Sequence, residues 1–187
     1  MFNAEGGIHA CRRRPETLTG DEIDLYETPR SATEAIVPLL RQYFDRETIF
    51  WECCDGNGAI SSVLLENGFT VVKSDRYFGE ERHDFLSESD LPPHHFDVIV
   101  TNPPYAVKHE FIARAVKYGV PFLFLLPLQV LGTLKSKGNL KNCNCSLLPI
   151  APSPSFLHDG IECSIGEVGW FIGNMAQSEL QNRLFLV

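Results

Sequence analysis

The chain has 187 residues, of which 44% are hydrophobic and 21% are charged, and its formal net charge is -8 at pH 7. This length and balance predict one globular domain with a real hydrophobic core. No apolar run approaches the roughly 20 residues that span a bilayer, so no membrane partner is expected. The first residues lack the continuous apolar stretch of a secretory signal, whereas Arg12, Arg13 and Arg14 leave a short organelle presequence open.

Residues 1–20 carry Gly, Arg, Pro and Thr without hydrophobic periodicity, which predicts a flexible N-terminal arm ahead of a single domain at residues 21–187. In that domain, Ser31 with Glu34 three residues on predicts a capped helix, although Pro38 interrupts the apolar spacing behind it. The elements predicted after this helix are strand 48–51, helix 59–66, strand 69–73, a short strand ending at 84–86, strand 96–101, helix 107–118, strand 120–126 and strand 167–172.

A stretch rich in Gly, Lys, Asn and Pro interrupts this alternation at residues 132–160. It predicts a mobile loop region with one strand at 145–150. Apolar strands that alternate with helices predict an α/β protein whose mostly parallel sheet is covered by helices on both faces. Because ligands bind such sheets at the carboxyl ends of the strands, polar residues at strand ends are the candidates for a site.

The turn after the first predicted strand carries an acid and two glycines, at Glu52, Gly56 and Gly58. Glycines in this place let the backbone approach a ligand closely before the next helix begins. The turn lacks the third glycine of a dinucleotide fingerprint and the Gly-Lys-Ser/Thr of a phosphate loop. An acid before the glycines suits an amine-bearing ligand better than a pyrophosphate, although a tight strand-to-helix turn explains the glycines equally well.

Further acids lie at the ends of the next predicted strands. Asp75 comes about 20 residues after the glycines, where a carboxylate can accept hydrogen bonds from ribose hydroxyls. Asp84 and Phe85 would offer a carboxylate and an aromatic ring to a heterocycle. Together these positions predict one nucleoside-like ligand at a shared edge of the sheet.

The segment Asn102-Pro103-Pro104-Tyr105 follows the strand at 96–101 and is the sharpest signal in the chain. Consecutive prolines fix a rigid, extended turn, so the Pro103 carbonyl and the Asn102 side-chain oxygen can both accept hydrogen bonds from one NH2 group. Two acceptors would hold the hydrogens of a planar exocyclic amine while its nitrogen attacks a sulfonium methyl group. Tyr105 supplies a face on which the ring or amide that carries the amine can stack.

Two patterns concern the surroundings of such a site. The six cysteines form no pair of CxxC motifs, so we expect no metal centre, reduced thiols and a reducing intracellular compartment. No Asp or Glu occurs between Phe111 and His158, and Lys135, Lys137 and Lys141 lie in this stretch. They are candidates for contacts with nucleic-acid phosphates, although a solvated helix face explains them equally well.

These motifs together resemble those of the class I methyltransferases that modify amino nitrogens. The chain is particularly similar to the short DNA adenine-N6 methyltransferases of phages and some cellular genomes, which carry an Asn-Pro-Pro-Tyr motif. The matching segments are Asp24 to Pro29, Trp51 to Gly58, Ser74-Asp75, Asp84 to Leu86, Asn102 to Tyr105, Pro154 to Phe156 and Gly169 to Phe171.

The resemblance implies S-adenosylmethionine as the cofactor and a Rossmann-like sheet of seven strands, mostly parallel, with the last strands antiparallel. The cofactor-binding residues that it implies are Tyr26, Thr28 and Pro29 at the methionine end, Glu52, Gly56 and Gly58 at the amino-acid moiety, Asp75 at the ribose, and Asp84 and Phe85 at the adenine. The residues that it implies at the target base are Asn102, Pro103 and Tyr105, which carry catalysis, with Pro104 as a further contact.

The favoured hypothesis is therefore methylation of adenine N6 in DNA, and RNA fits the same chemistry. A protein glutamine or a guanine amino group offers a similar planar NH2 and stays open. A non-catalytic, cofactor-binding subunit of a modification complex is the alternative from another class. The chain after Gly132 is short for a separate target-recognition domain, which leaves recognition to a partner subunit or to the basic stretch.

Overall fold

The computed structural model describes residues 26–89, 92, 94–158, 160–175 and 184. The predicted N-terminal arm lies outside the described residues, and so do Asp24 and Leu25. Within the described residues the α-helices are α1 (Arg30–Glu34), α2 (Val37–Tyr43), α3 (Ala59–Glu66), α4 (Lys108–Tyr118) and α5 (Leu134–Asn142), and two short 3-10 helices lie at Tyr105–Val107 and Leu128–Gly132. The strands are β1 (Ile49–Glu52), β2 (Thr70–Lys73), β3 (Val98–Thr101), β4 (Phe122–Pro127), β5 (Ser146–Pro149), β6 (Phe156–His158), β7 (Ile161–Cys163) and β8 (Val168–Gly173).

The main sheet contains six of the described strands in the order β2-β1-β3-β4-β8-β5. The first four are parallel to one another, β8 is antiparallel to β4, and β5 is antiparallel to β8. Strands β6 and β7 form a separate antiparallel hairpin. The predicted α/β fold and mostly parallel sheet are confirmed, whereas the described part of the sheet has six strands instead of the expected seven.

The short strand predicted to end at residues 84–86 is absent from the described sheet, because this segment forms a turn. Asp84 Oδ1 accepts a hydrogen bond from the Leu86 backbone N–H at 3.0 Å, and the Asp84 carbonyl accepts one from the Ser87 N–H at 2.9 Å. Such local bonds to an aspartate favour a turn over a strand ladder. The apolar character of Phe85 reflects burial in the core, where its ring stacks on that of Phe111 with centroids 4.7 Å apart.

Residues of the central strands alternate between two core layers. Phe50 and Val98 pack with the helices α1, α2 and α3, whereas Trp51 and Ile99 pack on the other face with α4. All six residues of β4 are buried, as expected for a strand covered on both faces. The prediction of helices on both faces of the sheet is therefore confirmed.

The first helical segment differs from its prediction. Helix α1 begins after Pro29 without a side-chain cap, so the predicted cap at Ser31 is wrong. A second helix, α2, begins at Val37, which puts Pro38 in its first turn. A proline there removes no helical hydrogen bond, because the first N–H groups of a helix have no partner within it. The chain therefore breaks one predicted helix into two and accommodates Pro38 at the break.

The segment predicted as a loop after Gly132 contains regular structure. Its polar composition hides helix α5, whose first turn is capped by the Thr133 side chain. The buried Ser136 of α5 is hydrogen-bonded to His109 of α4, with Oγ and Nδ1 2.8 Å apart. This tertiary contact outweighs the weak helix propensity of the segment. Strand β5 lies where a strand was predicted, and the mobility expected for residues 132–160 stays a prediction.

The described helices are short or polar by the standard of a membrane span. None of them is both long enough and apolar enough to cross a bilayer.

Candidate functional site

A cavity of about 300 Å³ opens at the carboxyl ends of β1, β2 and β3. The segment 26–28, the start of α3 and the start of α4 complete its walls. The structure brings nine of the residues predicted for a site to this cavity. They are Tyr26, Thr28, Glu52, Gly56, Asp75, Asp84, Phe85, Asn102 and Pro104.

The other predicted site residues do not line the cavity. Pro29 precedes α1, and Gly58 precedes α3 with a φ of 84°. Pro103 is buried, and Tyr105 is half-buried beside the cavity. The three remaining residues lie on α5 with exposed side chains and are Lys135, Lys137 and Lys141.

Glu52 closes the inner end of the cavity at the last position of β1, and its side chain is fully buried. One carboxyl oxygen, Oε1, accepts a hydrogen bond from the Cys54 backbone N–H at 2.9 Å. Burial raises the pKa of Glu52 well above its ordinary value, and the nearby Asp55 and Asp75 raise it further. A buried carboxyl group of this kind favours a cationic ligand, because a positive charge would stabilise its ionised form.

The glycine turn after β1 approaches the cavity with its backbone. Gly56 has a φ of 55°, in the left-handed region that suits glycine. Its N–H donates to Asp75 Oδ2 at 3.0 Å, which ties the turn to the end of β2. Asp55 lies beside the turn, where it accepts a hydrogen bond from Ser61 and pairs with Lys73 at 3.4 Å.

Asp75 holds the adjoining rim of the cavity, just after β2. Its Oδ1 accepts hydrogen bonds from the backbone N–H groups of Tyr77 at 2.7 Å and Phe78 at 3.0 Å. With the bond from Gly56, three backbone donors meet one buried carboxylate. A carboxylate has about four lone-pair positions, so one stays available to a ligand hydroxyl. Asp75 therefore has a structural role beyond the predicted ribose contact.

The rim also contains cavity residues that the sequence reasoning missed. Tyr77 and Phe78 come after Arg76 in the turn that Asp75 begins, and His83 is buried with its ring 5.2 Å from that of Trp51. The signal that could have found the two aromatic residues is their position in the turn that follows β2 and contains Asp75. At the same rim Asp84 pairs with Arg76, with Nε and Oδ2 3.5 Å apart.

Asn102 follows the last residue of β3, and its amide is held from one side. Nδ2 donates to Thr28 Oγ1 at 3.0 Å and lies 3.4 Å from the Tyr26 carbonyl oxygen. Oδ1 is buried and has no hydrogen-bond partner within the part of the chain that the structure describes. Asn102 lines the cavity, and within the described residues its amide has one buried acceptor that no donor reaches.

Aromatic side chains flank this amide. The rings of Tyr26 and Tyr105 stack with centroids 6.5 Å apart, and the ring of His158 lies 5.1 Å from Tyr26 on the hairpin β6–β7. The backbone of Glu27 pairs with Leu157 of the same hairpin, through N–H to carbonyl distances of 2.8 Å and 3.4 Å. The hairpin thus holds the segment 26–28 at the mouth of the cavity.

The basic helix α5 lies next to the start of α4, which borders the cavity. The contact between Ser136 and His109 joins their first turns. Lys135 pairs with Glu110 of α4 at 2.5 Å, whereas the side chains of Lys137 and Lys141 are exposed to solvent. Of the three lysines predicted to contact phosphates, Lys137 and Lys141 therefore point into solvent, and Lys135 is engaged in an ion pair.

The cysteines of the described residues are free thiols. Cys53 is buried, and burial raises the pKa of its thiol well above the ordinary value. Cys54 is half-buried at the wall of the cavity. Among the described residues, no group of three His, Cys, Asp or Glu side chains is arranged to hold a metal ion. Cys11 lies outside this range.

In sequence comparisons, no protein-family model and no curated protein matches this chain. Solved structures do match its fold. One is the methyltransferase subunit of a type I restriction-modification system from Streptococcus thermophilus, with a TM-score of 0.59 and 14% identity. The match covers 82% of this chain but 46% of that subunit, so the chain spans about half of its length.

Two further structures match over most of both chains. A protein of Pyrococcus horikoshii assigned as an RNA methyltransferase has a TM-score of 0.60 and 14% identity, with 87% of this chain and 93% of that one covered. A protein of Agrobacterium tumefaciens assigned as an O-methyltransferase has a TM-score of 0.53 and 15% identity, with 84% of each chain covered. At such identities the likeness shows the fold, and the chain has the class I methyltransferase fold.

Proposed function

We propose that this chain is an S-adenosylmethionine-dependent methyltransferase that modifies an exocyclic amino group, with adenine N6 in DNA as the favoured substrate. The observation that carries the proposal is the state of the Asn102 amide. Its Nδ2 is bonded to Thr28, whereas its buried Oδ1 has no partner in the described part of the chain. Because a buried acceptor without a partner is unfavourable, this oxygen supports a ligand that brings an N–H donor.

The cavity suits the cofactor that the fold implies. Its volume of about 300 Å³ falls in the range of small-molecule sites. We assign Glu52 to the amino group of the methionine moiety, since a cation would stabilise its ionised form. We assign the remaining lone pair of Asp75 to a ribose hydroxyl, and the aromatic rim at Tyr77 and Phe78 to the adenine. When bound, the cofactor supplies an electrophilic methyl group on a sulfonium centre.

Asn102 then acts on the substrate amine. Its Oδ1 accepts one amine hydrogen and orients the nitrogen lone pair towards the methyl carbon. The cofactor that Glu52 and Asp75 would hold would supply the methyl group and keep the electron pair of its broken carbon–sulfur bond, and the methylated amine would release one proton to water. Pro104 and Tyr26 line the same wall, and the ring of Tyr105 stacks on that of Tyr26 with centroids 6.5 Å apart. We assign Tyr26, supported by Tyr105, as the face for the planar ring that carries the amine.

Nucleic acid is the favoured substrate class because positive charge lies near the site. Lys137 and Lys141 are exposed on α5, and the stretch from Phe111 to His158 contains no Asp or Glu. We infer that these lysines contact phosphates, with Lys135 joining them when it leaves Glu110. DNA fits the type I restriction-modification neighbour, and RNA, the second candidate, fits the neighbour from Pyrococcus horikoshii. A partner subunit would supply target recognition in DNA.

Methyl transfer from labelled S-adenosylmethionine to separate pools of DNA, RNA and protein tests this proposal. We expect label in DNA, or in RNA if that is the natural polymer. Label in protein alone would replace the nucleic-acid substrate by a glutamine side chain. Cofactor binding in calorimetry without transfer to any pool would favour a non-catalytic subunit. A protein that binds no cofactor would contradict methylation of nucleic acid and methylation of protein alike.

A further inference from the structure

The two ends of the Asn102 amide have opposite hydrogen-bonding properties. The oxygen accepts and the NH2 group donates, so an amide turned by 180° would point donors at a substrate amine that is itself a donor. The orientation of the amide therefore decides whether Asn102 attracts or repels the target nitrogen. The side chain itself has no means of fixing this orientation, since terminal amide torsions are broad.

Two neighbouring oxygens fix it from the segment 26–28. The Tyr26 carbonyl lies 3.4 Å from Asn102 Nδ2 and can only accept, which sets the polarity of the amide. The Thr28 hydroxyl lies closer, at 3.0 Å, and provides the stronger contact. Oδ1 consequently faces away from both oxygens.

Thr28 is itself held in place. The residue is 8% exposed, and the adjacent Glu27 backbone pairs with Leu157 of the hairpin β6–β7 at 2.8 Å and 3.4 Å. The backbone next to Thr28 is therefore tied to the hairpin, and the surrounding burial restricts the rotation of its side chain. A contact made by a fixed hydroxyl is suited to orienting a catalytic group.

We propose that Thr28 is a positioning residue, whose hydroxyl holds the Asn102 amide with Oδ1 directed at the substrate amine. This role rests on the proposed function of Asn102 and differs from the cofactor contact that the family resemblance implies for Thr28. A residue that influences the rate of methyl transfer thus lies on the segment before α1, far in sequence from the Asn-Pro-Pro-Tyr motif.

Thr28→Val tests the proposal, because valine keeps the shape of threonine and removes the hydroxyl. We expect kcat for methyl transfer to fall roughly tenfold, the order of one lost hydrogen bond. The KM for nucleic acid and the Kd of S-adenosylmethionine should stay within about twofold. Thr28→Ser restores the hydroxyl and should recover most of kcat. Thermal unfolding of both variants checks that the fold is kept.

A second arm uses Asn102→Asp, whose two carboxylate oxygens need no orientation. In single-turnover assays, Thr28→Val should lower the rate of this variant much less than it lowers the rate of the unmodified enzyme. An equal loss in both backgrounds would overturn the proposal. So would a Thr28→Val enzyme with unchanged kcat and a weakened cofactor Kd. If the unmodified protein transfers no methyl group to any pool, the proposed function itself fails.

Discussion

Replacing Asp75 with alanine should loosen the rim of the cavity as well as weaken cofactor binding. Asp75 is 7% exposed, and its carboxylate accepts three backbone N–H donors, from Gly56 at 3.0 Å, Tyr77 at 2.7 Å and Phe78 at 3.0 Å. Alanine would leave these donors without an acceptor and would disconnect the glycine turn from the end of β2.

The size of the effect follows from these contacts. A hydrogen bond to a charged acceptor contributes about 1.5–3 kcal/mol, and three bonds that share one side chain are not additive. Water can reach the N–H of Phe78, whose residue is 43% exposed, and can replace part of one bond. We expect a loss of about 2–4 kcal/mol, which corresponds to a fall in Tm of roughly 5–15 °C for a domain of this size.

Thermal and urea unfolding of Asp75→Ala without ligand would measure this loss. Asp84→Ala is a matched control at the same rim, because its carboxylate is half-exposed, accepts one N–H and pairs with the exposed Arg76. The control should lower Tm by less than about 4 °C. A Tm of Asp75→Ala equal to that of the unmodified protein would refute the structural role of Asp75.

Three further outcomes follow from the site. Burial raises the pKa of Glu52, and only the ionised carboxylate pairs with a cation. The affinity for the cofactor, measured by calorimetry, should therefore rise as the pH increases through that pKa. The Glu52→Gln variant should show no such rise. Asn102→Ala should keep the cofactor Kd within about threefold and lower methyl transfer at least roughly a hundredfold. Replacing Lys137 and Lys141 with alanine should reduce the slope of log K for DNA binding against log salt concentration by about 0.9 for each DNA contact that is lost. The control Lys117→Ala removes a lysine that is paired with Glu88 and should change this slope little.

Long apolar runs and strand-end residues could be predicted from the sequence alone. The helix at 59–66 has the predicted bounds, because Asn67-Gly68 ends it with a local signal. Asp75 and Asn102 come to one cavity because parallel strands place their carboxyl ends at the same edge. These features depend on short-range patterns or on a general property of the fold.

The errors arise where distant contacts decide. Helix α5 has a polar sequence and depends on Ser136 packing against His109 of α4. The contact of Thr28 with Asn102 depends on the hairpin β6–β7, whose Leu157 pairs with the backbone of Glu27. No local sequence pattern predicts this pairing. The prediction of a strand ending at 84–86 was wrong for the opposite reason. The local hydrogen bond from the Leu86 N–H to the Asp84 side chain favours a turn, although the apolar Phe85 suggests a strand.

Identification of the methylated nucleoside tests the central claim most directly. Purified protein would be incubated with labelled S-adenosylmethionine and DNA or RNA, and the polymer digested to nucleosides for mass spectrometry. We predict label in N6-methyladenine, and its loss in the Asn102→Ala variant, which would still bind the cofactor. Label on a ring carbon or a hydroxyl group, or equal labelling by the Asn102→Ala variant, would contradict an amino-group methyltransferase that works through Asn102.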